Sequence, residues 1–176
     1  METKGFRFEV ITSGQRFLQI DSRMLRDFIN SFIAENAFIM ADKKFSLDQE
    51  KKFQMAKAKE IDSKSRLFVL CWKGKVLAGN AEARKGSFKE SHNASFGLVV
   101  GKGYRGMGIG EKLLSMAMAQ ARKRLKAKCL WIDYIEGNGP ARKLYGKMGF
   151  REVARMKGYV RHGGRYIDRI IMKYAE

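Results

Sequence analysis

The segment 101–110, GKGYRGMGIG, contains five glycines in ten residues and joins an apolar run to a helix-like run that starts near Glu111. Glycine adopts positive φ angles without strain, so an anion can approach its backbone closely. Backbone N–H groups and the positive end of a helix favour phosphate, and Arg105 adds a cation. We therefore predict that residues 105–110 form a pyrophosphate-binding loop at a helix N-terminus.

Two common nucleotide motifs fit this segment less well. The glycines of 101–106 spell GxGxxG, and Asp133 follows in the next apolar run, as in the dinucleotide-binding fingerprint of NAD-dependent enzymes. That register would place three glycines within the first helical turns, at a cost of about 1 kcal/mol each relative to alanine. The P-loop pattern fails because Glu111 stands where its lysine is needed.

The order of apolar patterns predicts one domain over residues 1–176, of the α/β class in the broad sense and α+β in stricter usage. The pattern around the glycine loop, a strand, a helix and a second strand, predicts two parallel strands within an otherwise antiparallel sheet. Predicted strands cover 6–11, 66–72, 76–84, 92–100, 129–135, 150–161 and 165–174. Predicted helices start at Ser22, after Asp21, and at Ser46, and cover 111–126 and 139–148.

The chain carries a net charge of +18 with a pI near 10.1. Such a charge attracts anions, including nucleotides, nucleic acids and acidic proteins. The run RKRLKAK at 122–128 is the densest basic stretch. A basic module that binds nucleic acid or the ribosome is therefore an alternative function, and a lysine-rich solvated surface is the purely structural explanation.

Several other classes of protein are disfavoured. No apolar run approaches the roughly 20 residues of a membrane span, and the N-terminus lacks the features of a secretory signal, so we expect a cytoplasmic location. His92 and His162 have no partner at metal-ligand spacing, so no metal site is expected. Cys71 and Cys129 lie in separate apolar runs and are expected to be buried, unreactive thiols.

Two motifs then occur in a set order. Arg105, Gly108 and Gly110 match R/Q-x-x-G-x-G/A, and residues 137–150, GNGPARKLYGKMGF, match N-x-x-A-x-x-L-Y-x-x-x-G-F from Asn138 to Phe150. With a strand between them, these motifs resemble motif A and the second motif of the GNAT superfamily of acyl-CoA-dependent N-acetyltransferases. The resemblance covers residues 66–175.

The resemblance implies a three-layer fold in which strands 92–100 and 129–135 splay apart and acetyl-CoA lies between them. It implies that the backbone of Leu98, Val99 and Val100 pairs with the pantetheine arm, and that Asn138 hydrogen-bonds near that arm. The pyrophosphate would be held by the loop residues Arg105, Gly106, Met107, Gly108, Ile109 and Gly110. Tyr145 would lie beside the thioester sulfur.

The implied reaction is direct attack of a primary amine on acetyl-CoA within a ternary complex. Tyr145 is the candidate acid. Relatives often place a glutamate where this chain has Ser95, so Glu82 on the neighbouring strand, acting through water, is the candidate base, with Glu90 and His92 as weaker ones.

The acceptor is less specified than the donor. In the family it is held by the first helices and the last hairpin, here 22–61 and 161–165, and both are basic. The N-terminus or a lysine of an acidic or RNA-associated protein is compatible with this charge. A small amino compound is an alternative acceptor, whereas a polyamine would be repelled. Nucleic acid would be a secondary partner, and the chain a monomer or homodimer.

Overall fold

The computed structural model describes residues 5–175, which form one seven-stranded sheet in the order β1-β2-β3-β4-β5-β7-β6. All neighbouring strands are antiparallel except β4 and β5, which are parallel. The mixed sheet expected from the sequence is therefore confirmed. The strands are β1 (Arg7–Ile11), β2 (Arg66–Lys73), β3 (Val76–Lys85), β4 (Asn93–Val100), β5 (Cys129–Ile135), β6 (Phe150–His162) and β7 (Arg165–Tyr174).

Helices cover both faces of the sheet. One face packs against α1 (Gly14–Leu18), α2 (Ser22–Ala34) and α3 (Leu47–Asp62) through a core that includes Phe68, Leu70 and Trp72 of β2. The other face packs against α4 (Ile109–Gln120) and α5 (Gly139–Lys147) through the larger core. Residues 5–175 contain no helix long and apolar enough to cross a membrane.

The capping patterns predicted two helix starts correctly. The Asp21 carboxylate accepts from Arg23 N–H at 2.8 Å at the start of α2. Ser46 and Gln49 form a reciprocal capping box at the start of α3, so the polar amphipathic segment behind it begins where expected.

The structure corrects the predicted helices in two places. Helix α1 was not predicted, because its five residues are too few to show a helical period. Its start is stabilised by two hydrogen bonds: Ser13 Oγ accepts from Arg16 N–H at 3.2 Å, and the Asp62 carboxylate accepts from Gly14 N–H at 2.7 Å. Helix α4 begins at Ile109, not Glu111, and gives way after Gln120 to a π-helical turn over Ala121–Leu125. Gly110 therefore lies in the first helical turn, where a Cβ would come within 3.2 Å of Leu144 Cδ2, so its lack of a side chain allows α4 and α5 to pack closely.

Candidate functional site

A gap opens between β4 and β5 in the second half of both strands. Their pairing runs from Asn93 opposite Cys129 to Phe96 opposite Ile132 and then ends. Beyond that point residues 97–100 stay paired with β3, and residues 133–135 stay paired with β7. The two strands therefore diverge, as the resemblance noted above implies.

The phase of the β3–β4 ladder decides which backbone groups face this gap. Gly101 N–H donates to Ala78 C=O at 2.9 Å, and Gly86 N–H donates to Asn93 C=O at 3.0 Å. Because hydrogen-bonding direction alternates along a strand, odd-numbered residues of β4 face β3 and even-numbered ones face the gap. Leu98 and Val100 thus present their backbone groups to the gap, and Arg105 Nε donates to Val100 C=O at 3.0 Å from that side. Val99 presents its groups to β3.

The glycine loop ends beside the gap. Gly106 and Gly108 have φ angles of 77° and 75°, which side chains disfavour, and Gly108 is the N-cap of α4 without a side-chain cap. Among the described residues, the backbone N–H groups of 105–111 donate to no protein acceptor. This run of free donors at a helix N-terminus is suited to a diphosphate.

Charges around the loop are partly engaged within the protein. Lys147 Nζ lies 2.6 Å from Glu111 Oε2, so the one acidic residue in the first turn of α4 is paired. The Arg105 guanidinium pairs with Glu35 just after α2 and lies 5.8 Å from the Phe32 ring centroid. Arg105 therefore ties the loop to the end of α2.

Tyr145 lies in α5 and is 5% exposed. Its ring contacts those of Tyr134 and Phe150, with centroids 6.2 Å and 6.4 Å away. Burial, and the nearby charge of Asp133, raise the pKa of Tyr145 far above its usual value. Because of this raised pKa, the hydroxyl stays protonated at neutral pH. It makes no hydrogen bond with any described residue, so it is free to donate to a ligand.

Asn138 is the N-cap of α5. Its Oδ1 accepts from Ala141 N–H at 3.2 Å, and Pro140 occupies the first turn. The side-chain oxygen is therefore occupied by the helix, and its NH₂ group is the part left for a ligand.

Glu82 lies on β3 opposite Gly97. A Cβ at Gly97 would come within 3.2 Å of Glu82 Oε1, so the glycine makes room for this carboxylate beside Leu98. Both oxygens of Glu82 face guanidinium groups, that of Arg66 at 2.5 Å and that of Arg84 at 3.5 Å. To accept a proton, Glu82 would have to weaken an ion pair. Glu90, in a short 3₁₀ turn after β3, is exposed.

The connection between α2 and α3 reaches the last hairpin. Phe38 stacks on His162 with ring centroids 4.7 Å apart, and a Cβ at Gly137 would lie 3.2 Å from the Phe38 ring. These contacts place Phe38 beside Gly137, just after β5, and beside the last hairpin. The sequence analysis identified neither Phe38 nor Glu35 as part of the site. Phe38 is an aromatic residue in a mostly polar connection, and this is the one sequence feature that could have indicated it.

Other candidate chemistry is sparse. Within residues 5–175, no group of three or more histidine, cysteine or acidic residues could hold a metal ion. Cys71 is fully buried, and burial raises the pKa of its thiol to about 11; Cys129 is half-buried rather than buried as expected.

The comparisons with known proteins agree with this geometry. Residues 30–150 match the model of the acetyltransferase (GNAT) family. The fold is similar to yncA from Salmonella typhimurium, an acetyltransferase solved with its cofactor acetyl-CoA, at a TM-score of 0.80, 19% identity, and coverage of 97% of this chain and 93% of that one. It is also similar to a ribosomal-protein-S5-alanine acetyltransferase from Vibrio fischeri, at a TM-score of 0.82, 14% identity, and coverage of 98% and 94%.

Among curated proteins, an N-alpha-acetyltransferase of Sulfurisphaera tokodaii is 32% identical over 75 residues, which is 43% of this chain. The match spans 44% of that relative's length, less than half. The family match covers most of the chain and includes both motifs, the gap and the glycine loop. The chain therefore belongs to the GNAT family of acetyltransferases, enzymes whose acyl donor is acetyl-CoA.

Proposed function

We propose that this protein transfers an acetyl group from acetyl-CoA to the α-amino group of a protein substrate, by direct attack in a ternary complex. The observation that carries the proposal is the end of the β4–β5 ladder at Phe96 and Ile132, next to a helix N-terminus with free N–H groups.

The residues at the gap fit acetyl-CoA. The free N–H groups of residues 105–111 would hold the pyrophosphate, and side chains at Gly106 and Gly108 would strain the loop. The gap-facing backbone of Leu98 and Val100 would pair with the amides of the pantetheine arm. Asn138 would contribute its NH₂ group.

Acetyl-CoA supplies a reactive thioester, and the protein supplies hydrogen-bond donors. Leu98 N–H is a gap-facing donor available to an oxyanion. The Tyr145 hydroxyl would donate to sulfur. Because its pKa is raised, Tyr145 would stabilise a departing thiolate through a hydrogen bond rather than by giving up its proton entirely.

The amine must lose a proton before it attacks, since an alkylammonium has a pKa of about 10 and an α-ammonium a pKa of about 8. The second value is close to neutrality, so an α-amine needs less help from a base. Glu82, with both oxygens facing arginines, would act through water as a weak relay. This makes an α-amino group a better acceptor than lysine at this site.

The acceptor side supports a protein substrate. Its borders include Arg161, His162 and Arg165, and the chain carries a charge of +18. An N-terminus followed by acidic residues would be attracted, and a polycation repelled. The names of the Sulfurisphaera and Vibrio relatives, an N-alpha- and a ribosomal-protein-alanine acetyltransferase, point the same way.

The first experiment is calorimetric titration of acetyl-CoA at about 150 mM and 500 mM salt, with NAD and ATP as controls. We expect saturable binding of acetyl-CoA that persists at high salt, and weak binding of both controls. Equal binding of all three ligands that disappears with salt would overturn the proposed donor, because a basic surface attracts any polyanion.

The second experiment compares acceptor peptides of equal length with acetyl-CoA. We expect acetylation of a peptide with a free N-terminus and acidic residues behind it. A matched peptide with a blocked N-terminus and one internal lysine should react at least tenfold more slowly. Faster reaction of the lysine peptide would overturn the α-amino assignment and leave the donor assignment standing.

A further inference from the structure

A cavity of about 300 Å³ lies between the α1–α3 layer and the sheet, away from the gap. Its lining comes from α1, α2, α3, the α2–α3 connection, β2 and β3, and includes no residue of β4, β5, the glycine loop or the last hairpin. Five aromatic rings surround it: Phe17, Phe28, Phe45, Phe53 and Phe68. Its volume is at the lower end of the range for small-molecule sites, about 300–1,000 Å³.

One charged group of the lining has no counterpart. Glu50 is 5% exposed, yet its carboxylate makes no hydrogen bond or ion pair with any described residue. No side-chain oxygen or nitrogen among these residues is both sealed from solvent and unpartnered. The Glu50 oxygens therefore open into the cavity that this residue lines.

The helix does not need this carboxylate. The capping box of α3 is made by Ser46 and Gln49, and Asp48 supplies an exposed acidic group in the same turn. Burying a carboxylate without a partner costs several kcal/mol unless it is protonated or paired. Burial accordingly raises the pKa of Glu50. A buried glutamate without a partner weakens the empty protein, and a cation bound in the cavity would remove that cost.

The basic residue of the cavity lining does not neutralise Glu50. Lys57 lies two turns along α3, and its Nζ is 6.0 Å from the Phe68 ring centroid. It lowers the pKa of Glu50 through its charge but forms no salt bridge with it among the described residues. Asn80, from β3, is the third polar group of the lining.

We propose that this cavity binds a small apolar primary amine, an arylalkyl or alkyl monoamine, with its ammonium group on Glu50. The ammonium would replace the missing partner of the carboxylate, and the faces of the surrounding phenylalanine rings attract cations. The apolar body would occupy the rest of the cavity. A polyamine does not fit, because one carboxylate faces it and Lys57 would repel a second ammonium.

The site is separate from the gap, but one chain segment, the α2–α3 connection, contacts both regions. The α2–α3 connection provides Ala41 and Phe45 to the cavity, while Phe38 of the same connection stacks on His162. An amine in the cavity would therefore order the segment that covers the acceptor side. The proposal does not depend on the acetyl acceptor proposed above.

The test is calorimetric titration of the full chain with 2-phenylethylamine, and with 2-phenylethanol as a neutral probe of nearly the same shape. We expect the amine to bind at least tenfold more tightly. Glu50→Gln should reduce amine affinity at least tenfold and leave the alcohol unchanged. Asp48→Asn removes an exposed carboxylate from the same helical turn and should change neither.

Equal affinity for amine and alcohol, or amine binding unchanged in Glu50→Gln, would overturn the proposal. Ala41→Phe adds a ring to the cavity lining and keeps the Glu50 carboxylate, so it gives a second test if Glu50→Gln folds poorly. Amine binding that survives this substitution would place the amine elsewhere. Acetyl-CoA titrations on the same samples keep the two proposals apart, since the cavity shares no lining residue with the loop or β4.

Discussion

At the residue scale, two glycines in the loop adopt a backbone that other residues avoid. Replacing Gly108, at φ 75°, by alanine should destabilise the protein by about 1–2 kcal/mol. It should also weaken acetyl-CoA binding more than tenfold, because a changed backbone at Gly108 would reorient the free N–H groups at the start of α4. Calorimetry and urea denaturation measure the two effects.

Gly103→Ala is the matched control for this prediction. Gly103 lies in the 3₁₀ turn Lys102–Tyr104 just before the loop, has no positive φ, and has no atom within 4 Å of the Cβ that alanine would add. Its binding and stability should stay within error of the wild type. An equal loss in both variants would mean that flexibility, not conformation, matters in this loop.

Tyr145 tests the chemistry of the gap. Tyr145→Phe removes one hydroxyl that no described residue hydrogen-bonds, so the fold should be unaffected. We expect kcat to fall roughly 100-fold with little change in the KM for acetyl-CoA. Tyr134→Phe, in the contacting ring, should retain near-full kcat; a loss shared equally by both variants would argue against a role specific to Tyr145.

Glu50 makes stability depend on pH. Because its pKa is raised on folding, the folded protein holds a proton where the unfolded chain has lost it. Its contribution to the free energy of unfolding is therefore present at low pH and lost as the pH rises through the folded pKa. We expect Glu50→Gln to become more stable relative to the wild type between pH 4 and pH 8, as measured by urea denaturation. A difference that stays constant over this range would contradict the burial of a titrating carboxyl.

At the scale of elements, Asn138 at the start of α5 has two roles that substitutions can separate: it caps the helix, and it is proposed to bind the ligand. Asn138→Asp keeps an oxygen that can cap α5 and removes the NH₂ group, whereas Asn138→Ala removes both. We expect the alanine variant to lose about 1 kcal/mol of stability and the aspartate variant to lose little. Both should bind acetyl-CoA less tightly. If the aspartate variant binds normally, Asn138 serves only as a cap.

The helices and strands also show which features of the structure can be predicted from sequence patterns. The strands and the helices α2 and α3 follow from alternation, from a 3.6-residue period and from the caps at Asp21 and Ser46. The loop residues Arg105, Gly108 and Gly110 follow from a local motif. By contrast, the pairing of Glu35 with Arg105 joins residues 70 positions apart, and the seclusion of Glu50 depends on three helices folding over β2. Such contacts leave no local pattern, so they could not be predicted.

At the scale of the whole molecule, excess positive charge opposes folding. The chain has 36 lysines and arginines against 18 acidic residues, and repulsion among them is screened by salt. We expect the free energy of unfolding to rise between about 20 mM and 300 mM sodium chloride, in urea titrations monitored by circular dichroism. A fall over this range would mean that the surface ion pairs outweigh the repulsion.

The same charge bears on the alternative function as a nucleic-acid-binding module. Arg122, in the π-helical turn, lies 5.0 Å from the ring centroid of Tyr174. Lys173, next to Tyr174 in β7, lies 5.7 Å from the ring centroid of Trp131. RNA bound there would dissociate steeply with salt.

The split between β4 and β5 also has a consequence for protein turnover. The β4–β5 ladder runs only from Asn93–Cys129 to Phe96–Ile132, which makes it the shortest backbone ladder between neighbouring strands of the described sheet. A ligand whose amides pair with the free edge of β4 would bind only the folded protein and would therefore stabilise it. At a concentration 100-fold above its Kd it would add about 2.7 kcal/mol to the free energy of unfolding. In a cell, the supply of acyl donor would then set how long each copy of the protein escapes unfolding and proteolysis, so the metabolic state would control the amount of enzyme as well as its rate.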